Sequence, residues 1–272
     1  MRLEAKVQAQ ASLEVLRHST SHIMAQAVKR IFPQAKLGIG PPIKDGFYYD
    51  FDLDGAALSQ NLPQIEAEMK RIIGENLSFE KKIVTKKEAE KIFKERNEPY
   101  KLELLGGIPD DEVTLYQQGE FIDLCRGPHL KRTGEVKFFR LLSLAGSYWR
   151  GKEENPMLSR IYGTSFYTKE ELEDYLKQLE EASKRDHRRL GRDLDLFSIS
   201  SDLGAGLVVY HPKGALLREI IENFEKEEHF KRGYQMVKTP HLSRAKLWEQ
   251  SGHLDFYRKN MYLFSSGKED YV

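Results

Sequence analysis

Only one cysteine, Cys125, occurs among the 272 residues. That excludes an intramolecular disulfide framework and fits a reducing compartment. No apolar run approaches the roughly 20 residues that a membrane-spanning helix needs. The N-terminal stretch "MRLEAKVQAQASLEVLRHS" lacks the apolar core of a secretory signal. A soluble, cytoplasmic chain is therefore expected, with no membrane partner. Charge of either sign is not in excess: Lys+Arg is 43 against Asp+Glu 42. Net charge thus gives no prediction of nucleic-acid binding, and any basic surface must come from local clustering. Internal repeats and low-complexity tracts are absent too.

What is present is ordinary globular material, 40% hydrophobic and 31% charged, long enough for one or two domains. From Gln8 to Phe32, apolar residues Leu13, Leu16, Ile23, Ala27 and Ile31 recur near helical spacing, and Pro33 closes the segment. "GFYYDFDL" alternates between Gly-rich turns and predicts a strand. Leu62–Asn76 predicts a second amphipathic helix, and "SFEKKIVTK" a strand. Thr85 then caps a helix, with Glu88 completing a capping box. "PYKLELL" and "EVTLYQQGEFIDLC" read as strands of one sheet, and "GEVKFFRLLSLAGSYWRG" continues the β pattern. The expected class is α+β: helices with an antiparallel sheet.

From Thr168 to Leu190 the chain is polar and helical, with opposite charges at helical spacing. This predicts a connecting helix, and its cationic end "KRDHRRLGR" suits either a helix C-terminus or a phosphate contact. Beyond Arg192 a new unit is expected. It would hold strands in "LDLFSIS" and "GLVVYHPKG", an amphipathic helix up to Gly233, a short strand "YQMVKTP" ending at Pro240, a helix "KLWEQSGHLDFY" and a strand "NMYLFSS".

The residues with chemistry are few. His18 and His22, at i and i+4, share one helical face. Placed at a helix start, they would be held neutral by the dipole, with Ser19 or Thr20 as cap. Cys125 and His129 form a second pair, and Gly127-Pro128 between them forbids a regular helix. Asp123 lies on the same strand face as Cys125, where it could orient a histidine or shift its pKa. Three histidines and a cysteine are the residue types of a tetrahedral zinc site. They are equally the types of a metal-free site in which imidazoles orient a water. A buried inert thiol and core histidines would need neither.

"RHSTSHIMAQAVKRIFP", "GFYYDFDL", "FIDLCRGPHL", "GSYWRG" and "MLSRIYGTSF" resemble, in collinear order, the editing domain of threonyl-tRNA synthetases, class II aminoacyl-tRNA synthetases. "LEEASKRDHRRLGRDLDLFSIS" resembles their linker helix and the entry to the catalytic domain, and "GYQMVKTPHL" their motif 1, with its helix over Ala215–Arg232 and its proline at Pro240. The resemblance implies an editing domain over 1–166, a linker helix over 167–190, and the start of a class II antiparallel-sheet catalytic domain over 191–272. It implies hydrolysis of serine wrongly esterified to threonine tRNA, with mischarged seryl-tRNA(Thr) as substrate and no cofactor for that step. His18, His22, Lys101, Cys125 and His129 would be catalytic, and Asp123 would meet the seryl group.

In full-length members, threonine attachment uses ATP, Mg and a catalytic-site zinc, with a homodimer built through motif 1. Motifs 2 and 3 and the ligands of that zinc are not found here, so the chain is expected to be a fragment that edits but does not aminoacylate. More distantly similar alanyl-type editing domains hold zinc on the same HxxxH and CxxxH pattern. A zinc-dependent alanyl-type deacylase, with zinc on His18, His22, Cys125 and His129, is therefore one alternative. A non-catalytic tRNA-binding module is another.

Overall fold

The computed structural model describes residues 2–204 and 206–272, and the side chains of these apart from 2–11. The chain divides into two compact units, Met1–Ser183 and Lys184–Val272. Both mix helices with antiparallel sheet.

The first unit opens on α1, Arg2–Ile31. Short strands β1 (Lys36–Leu37) and β2 (Pro42–Ile43) lead into β3, Gly46–Asp52. Helix α2, Gly55–Glu75, starts seven residues before the expected Leu62. Asp54 moves the start upstream, because its carboxylate accepts the Ala56 N–H, and Asn76 closes the helix in a left-handed conformation. Next come β4 (Glu80–Thr85), α3 (Lys86–Glu95) and α4 (Pro99–Gly106). The Thr85–Glu88 capping box forms as the sequence predicts. Strands β5 (Glu112–Gln118), β6 (Phe121–Leu124), β7 (Phe138–Tyr148) and β8 (Met157–Phe166) follow, then α5, Lys169–Lys184.

One antiparallel sheet runs β1-β3-β8-β7, with β2 also paired to β3. Its β3 aromatics, Phe47, Tyr49 and Phe51, are buried with Leu16, Ile23, Met24 and Val28 of α1 and Leu58, Ile65, Met69 and Ile72 of α2. A second sheet, β4-β5-β6, has its own smaller core of Ala89, Phe93, Leu105, Val113, Leu115 and Ile122.

Two expectations fail in this unit. "PYKLELL" is not a strand but the helix α4, which Pro99 starts at the position where a missing N–H costs nothing. Seven residues with scattered leucines satisfy either period, and the buried set Tyr100, Lys101 and Leu105 follows the helical one. The histidines do not lie at a helix start either, since α1 begins sixteen residues before His18. Ser19 and Thr20 therefore cap nothing. Their hydroxyls donate back to the Val15 and Leu16 carbonyls, the usual mid-helix arrangement.

In the second unit, α6 spans His187–Asp193, β9 Phe197–Ile199 and β10 Val208–Tyr210. Then come α7 (Pro212–Lys231), α8 (Ala245–Gln250), α9 (His253–Tyr257), β11 (Phe264–Ser266) and β12 (Glu269–Tyr271). The helix expected over 167–190 is in fact two. Asp186 leaves helical geometry and accepts the Arg188 N–H, starting α6 anew. "KLWEQSGHLDFY" is likewise split, by Gly252 at φ +73°. "YQMVKTP" forms no strand, because residues 234–240 pair with no other strand among the described residues. The β9–β10 and β11–β12 hairpins form as two-stranded ribbons.

Candidate functional site

Three buried turns of α1 carry His18, Ser19 and His22 against the loop that leaves β6. That loop, Cys125–Leu130, stays close to the sheet because Cys125 N–H bonds the Thr114 carbonyl of β5. Gly127 adopts φ +71°, and a side chain there would collide with the Tyr116 ring. Cys125 and His129, though separated by this turn, face the two histidines of α1. Cys125 Sγ lies 3.3 Å from His18 Nε2 and 3.2 Å from His129 Nε2, and it accepts the Gly127 N–H at 3.2 Å. The ring centroid of His129 is 4.2 Å from those of both His18 and His22.

Beside the cluster sits a buried polar layer. Asp123 on β6 accepts a hydrogen bond from Tyr49 OH of β3 at 2.5 Å and is ion-paired to Lys101 of α4. Lys101 also donates to Tyr49 OH at 3.0 Å, and its side chain is only 2% exposed. His22 Nε2 approaches the same carboxylate to 3.6 Å. A buried ammonium is tolerable only with such partners. The structure thus brings together every one of the sequence-predicted site residues: His18, His22, Cys125 and His129 in one cluster, and Asp123 and Lys101 joined to it through His22. Tyr49 was missed. It reads as a core aromatic of an alternating strand, and the available signal was that a buried tyrosine hydroxyl needs a partner.

Burial sets the protonation states. It lowers the pKa of all three histidines, most strongly for His22 and His129, where repulsion from His18 adds at both, from Lys101 at His22 and from His22 at His129. Asp123 opposes the shift at His18 and His129. Desolvation, not a helix dipole, is thus what keeps these imidazoles neutral. Burial, aided by Asp123, also pushes the Cys125 thiol up to about 12, against the Gly127 N–H and Lys101. Tyr49 is held well above its usual value by burial and by Asp123.

The cluster therefore presents neutral imidazoles, whose lone pairs can orient a water without a charged member. Its donor set also fits a four-coordinate ion. The four candidate ligand atoms lie within 4.8 Å of one another. The two sulfur–nitrogen separations, 3.3 and 3.2 Å, are a few tenths of an ångström shorter than the roughly 3.6 Å edge that zinc bond lengths imply for a tetrahedron.

A second histidine chain lies in the other unit. His211 Nδ1 is 2.7 Å from Asp195 Oδ1 and His211 Nε2 is 2.9 Å from Ser198 Oγ, all on an exposed surface. It ties the β9–β10 hairpin to the first turn of α7.

A family model described as "Threonyl and Alanyl tRNA synthetase second additional domain" matches residues 113–162. The threonine--tRNA ligase of Citrifermentans bemidjiense is 54% identical over 260 residues, covering 96% of this chain and 41% of that protein. That of Dehalococcoides mccartyi strain BAV1 is 55% identical over 252 residues, 93% of this chain and 43% of its own length. The chain thus spans about two fifths of the length of these curated relatives. A solved structure titled as the RNA binding domain of threonyl-tRNA synthetase from Cryptosporidium parvum Iowa II aligns at 34% identity, over 32% of this chain and 22% of that one. Its TM-score is 0.31, too slight an overlap to bear on the fold. No described helix is long and apolar enough to cross a membrane.

Proposed function

Since the chain belongs to the threonine--tRNA ligase family over the stretch it shares with those relatives, we propose that residues 1–166 form an editing domain that hydrolyses serine esterified to threonine tRNA. The observation that carries this is the meeting of His18, His22, Cys125 and His129 beside the Lys101–Asp123–Tyr49 layer. The chemistry answers a physical need. Serine is threonine without a methyl, and one missing methylene changes discrimination by only about 1–3 kcal/mol. A second, smaller pocket that admits serine and excludes threonine supplies the rest.

In this reading His18 and His129 contact the attacking water and the terminal ribose hydroxyl, and His22 and Cys125 orient water and substrate. Water attacks the ester carbon and gives its proton to a neutral imidazole. The bond to the ribose oxygen breaks, and that oxygen takes the proton back, releasing serine and uncharged tRNA. Asp123 receives the seryl ammonium or hydroxyl, while Lys101, held by Asp123 and Tyr49, steadies the negative charge growing on the ester oxygen.

Residues 167–190 are proposed as the linker and 191–272 as the start of the class II catalytic domain. Its motif 1 region would serve a homodimer, and attachment of threonine to tRNA with ATP, Mg and zinc belongs to full-length members. The apolar residues of α7 suit an interface role.

His18→Ala and His129→Ala test the site. Each is expected to lower seryl-tRNA deacylation by about a hundredfold or more while the circular dichroism spectrum is kept. Full activity in both folded variants would remove the assignment. The donor geometry supports a second reading, in which His18, His22, Cys125 and His129 hold zinc and the ion supplies an acidified water. Metal analysis of the purified protein, with deacylation measured before and after chelation, separates the two.

A further inference from the structure

Ser19 is fully buried on α1, one residue from His18, yet the proposed chemistry gives it no part. Its hydroxyl has three neighbours. It lies 2.8 Å from the Val15 carbonyl, 2.9 Å from the Leu130 amide nitrogen and 3.2 Å from His129 Nδ1. A hydroxyl has one proton and two lone pairs. The Val15 carbonyl can only accept, and at 2.8 Å against 3.2 Å for His129 Nδ1 it is the nearer acceptor, so the hydroxyl proton goes there. The Leu130 N–H can only donate, so it occupies one lone pair. The lone pair that remains can be matched only by a proton on His129 Nδ1.

A neutral imidazole protonated at Nδ1 has its free lone pair on Nε2, the nitrogen 3.2 Å from Cys125 Sγ inside the cluster. The ring plane is fixed as well. Phe79 stacks parallel to it at 5.2 Å, and the Tyr116 ring meets it edge-on at 4.5 Å.

We propose that Ser19 is a positioning residue that fixes His129 as the Nδ1–H tautomer and so turns the Nε2 lone pair toward the reacting water. The kinetic part of this rests on the hydrolase reading above. The tautomer itself does not. With the opposite tautomer an N–H would point into the cluster and could not take a proton from water.

Long-range 15N–1H correlation spectra of the full chain test this at neutral pH. The protein is freed of metal by chelation, so that no ion imposes the tautomer, and the His129 signals are assigned by their loss in His129→Gln. The wild type is expected to show Nδ1–H. Ser19→Ala is expected to mix the tautomers and to slow seryl-tRNA deacylation about 10- to 100-fold, the usual cost of removing a group that orients a site histidine. Ser19→Thr, which keeps a hydroxyl in place, should restore both. An Nε2–H signal in the wild type, or an unchanged Nδ1–H signal in folded Ser19→Ala, overturns the proposal. If Ser19→Ala does not fold, the wild-type spectrum decides alone. An Nδ1–H signal in a chain that hydrolyses no seryl ester would sustain the tautomer and remove only the hydrolase reading.

Discussion

Phe47, Tyr49 and Phe51 of the first unit are completely withdrawn from water, whereas Phe224, Phe256 and Tyr262 of the second are 64%, 83% and 93% exposed. The same contrast runs through both units. Residues 2–183 enclose two substantial clusters of apolar side chains under two sheets. Among the described residues of 184–272, the buried apolar side chains are Ala245 and Leu254. Helix α7 shows why a sequence pattern is not enough. Leu216, Leu217, Ile220, Ile221 and Phe224 recur at helical spacing and a helix forms, yet all five stay exposed. Periodicity specifies which face is apolar, and only tertiary structure decides what covers it. The polar site follows the same division. A buried imidazole at His22, half-buried ones at His18 and His129, a buried lysine and a buried carboxylate need a dense surround, which the first unit provides.

The sharpest way to break this contrast is a pair of truncations. Phe51→Ala should cost about 3–5 kcal/mol of stability through lost burial and a residual cavity. Phe256→Ala should stay within about 0.5 kcal/mol. Urea titration of both variants checks this, and equal costs would contradict it. Next in size is local stability. Amides of β3 and β8 should exchange with solvent about a hundredfold more slowly than those of α8 and α9, as read by mass spectrometry.

Acid comes third. The His18, His22 and His129 pKa values are lowered in the folded chain, so below about pH 6.5 the unfolded chain binds protons that the folded chain does not. Stability is therefore complete above that pH and falls on acidification, by up to about 1.4 kcal/mol per pH unit for each histidine. Denaturant midpoints at pH 7.5 and 5.5 give the slope, and it should flatten when His129→Gln removes one of the three. Smaller than the Phe51→Ala cost is the effect expected at the α3 cap, where Thr85→Ala should cost about 1 kcal/mol. A loss of that size refers to the first unit and should leave exchange in the second unchanged.

Much of the first unit was legible because its elements carry strong local signals. The capping box at Thr85 and Glu88, the alternating strand β3 and the β5–β6 hairpin all lie where the residues indicate. Asp123, Cys125 and His129 were legible as a strand end and turn, since Gly127-Pro128 permits little else. What local sequence could not supply was distance. The His18–His22 pair meets Cys125 and His129 about a hundred residues along the chain; residue types alone leave that grouping one of several possibilities, and the resemblance to an editing domain selects it. Lys101 reads as a strand residue and lies instead on the helix α4, because a seven-residue segment cannot distinguish the two periods. Ser19 and Tyr49 were passed over as a cap and a core aromatic. Each hydroxyl is explained only by partners on remote elements.

The central claim is that the histidine–cysteine cluster hydrolyses a seryl ester and spares the threonyl one. Deacylation of seryl- and threonyl-tRNA(Thr) by the purified chain, followed side by side, tests it most directly. The account predicts rapid loss of serine, threonine released no faster than in buffer alone, and both rates at the buffer level in His129→Ala. Equal release of the two amino acids, or serine release unaffected by His129→Ala in the folded protein, would contradict it.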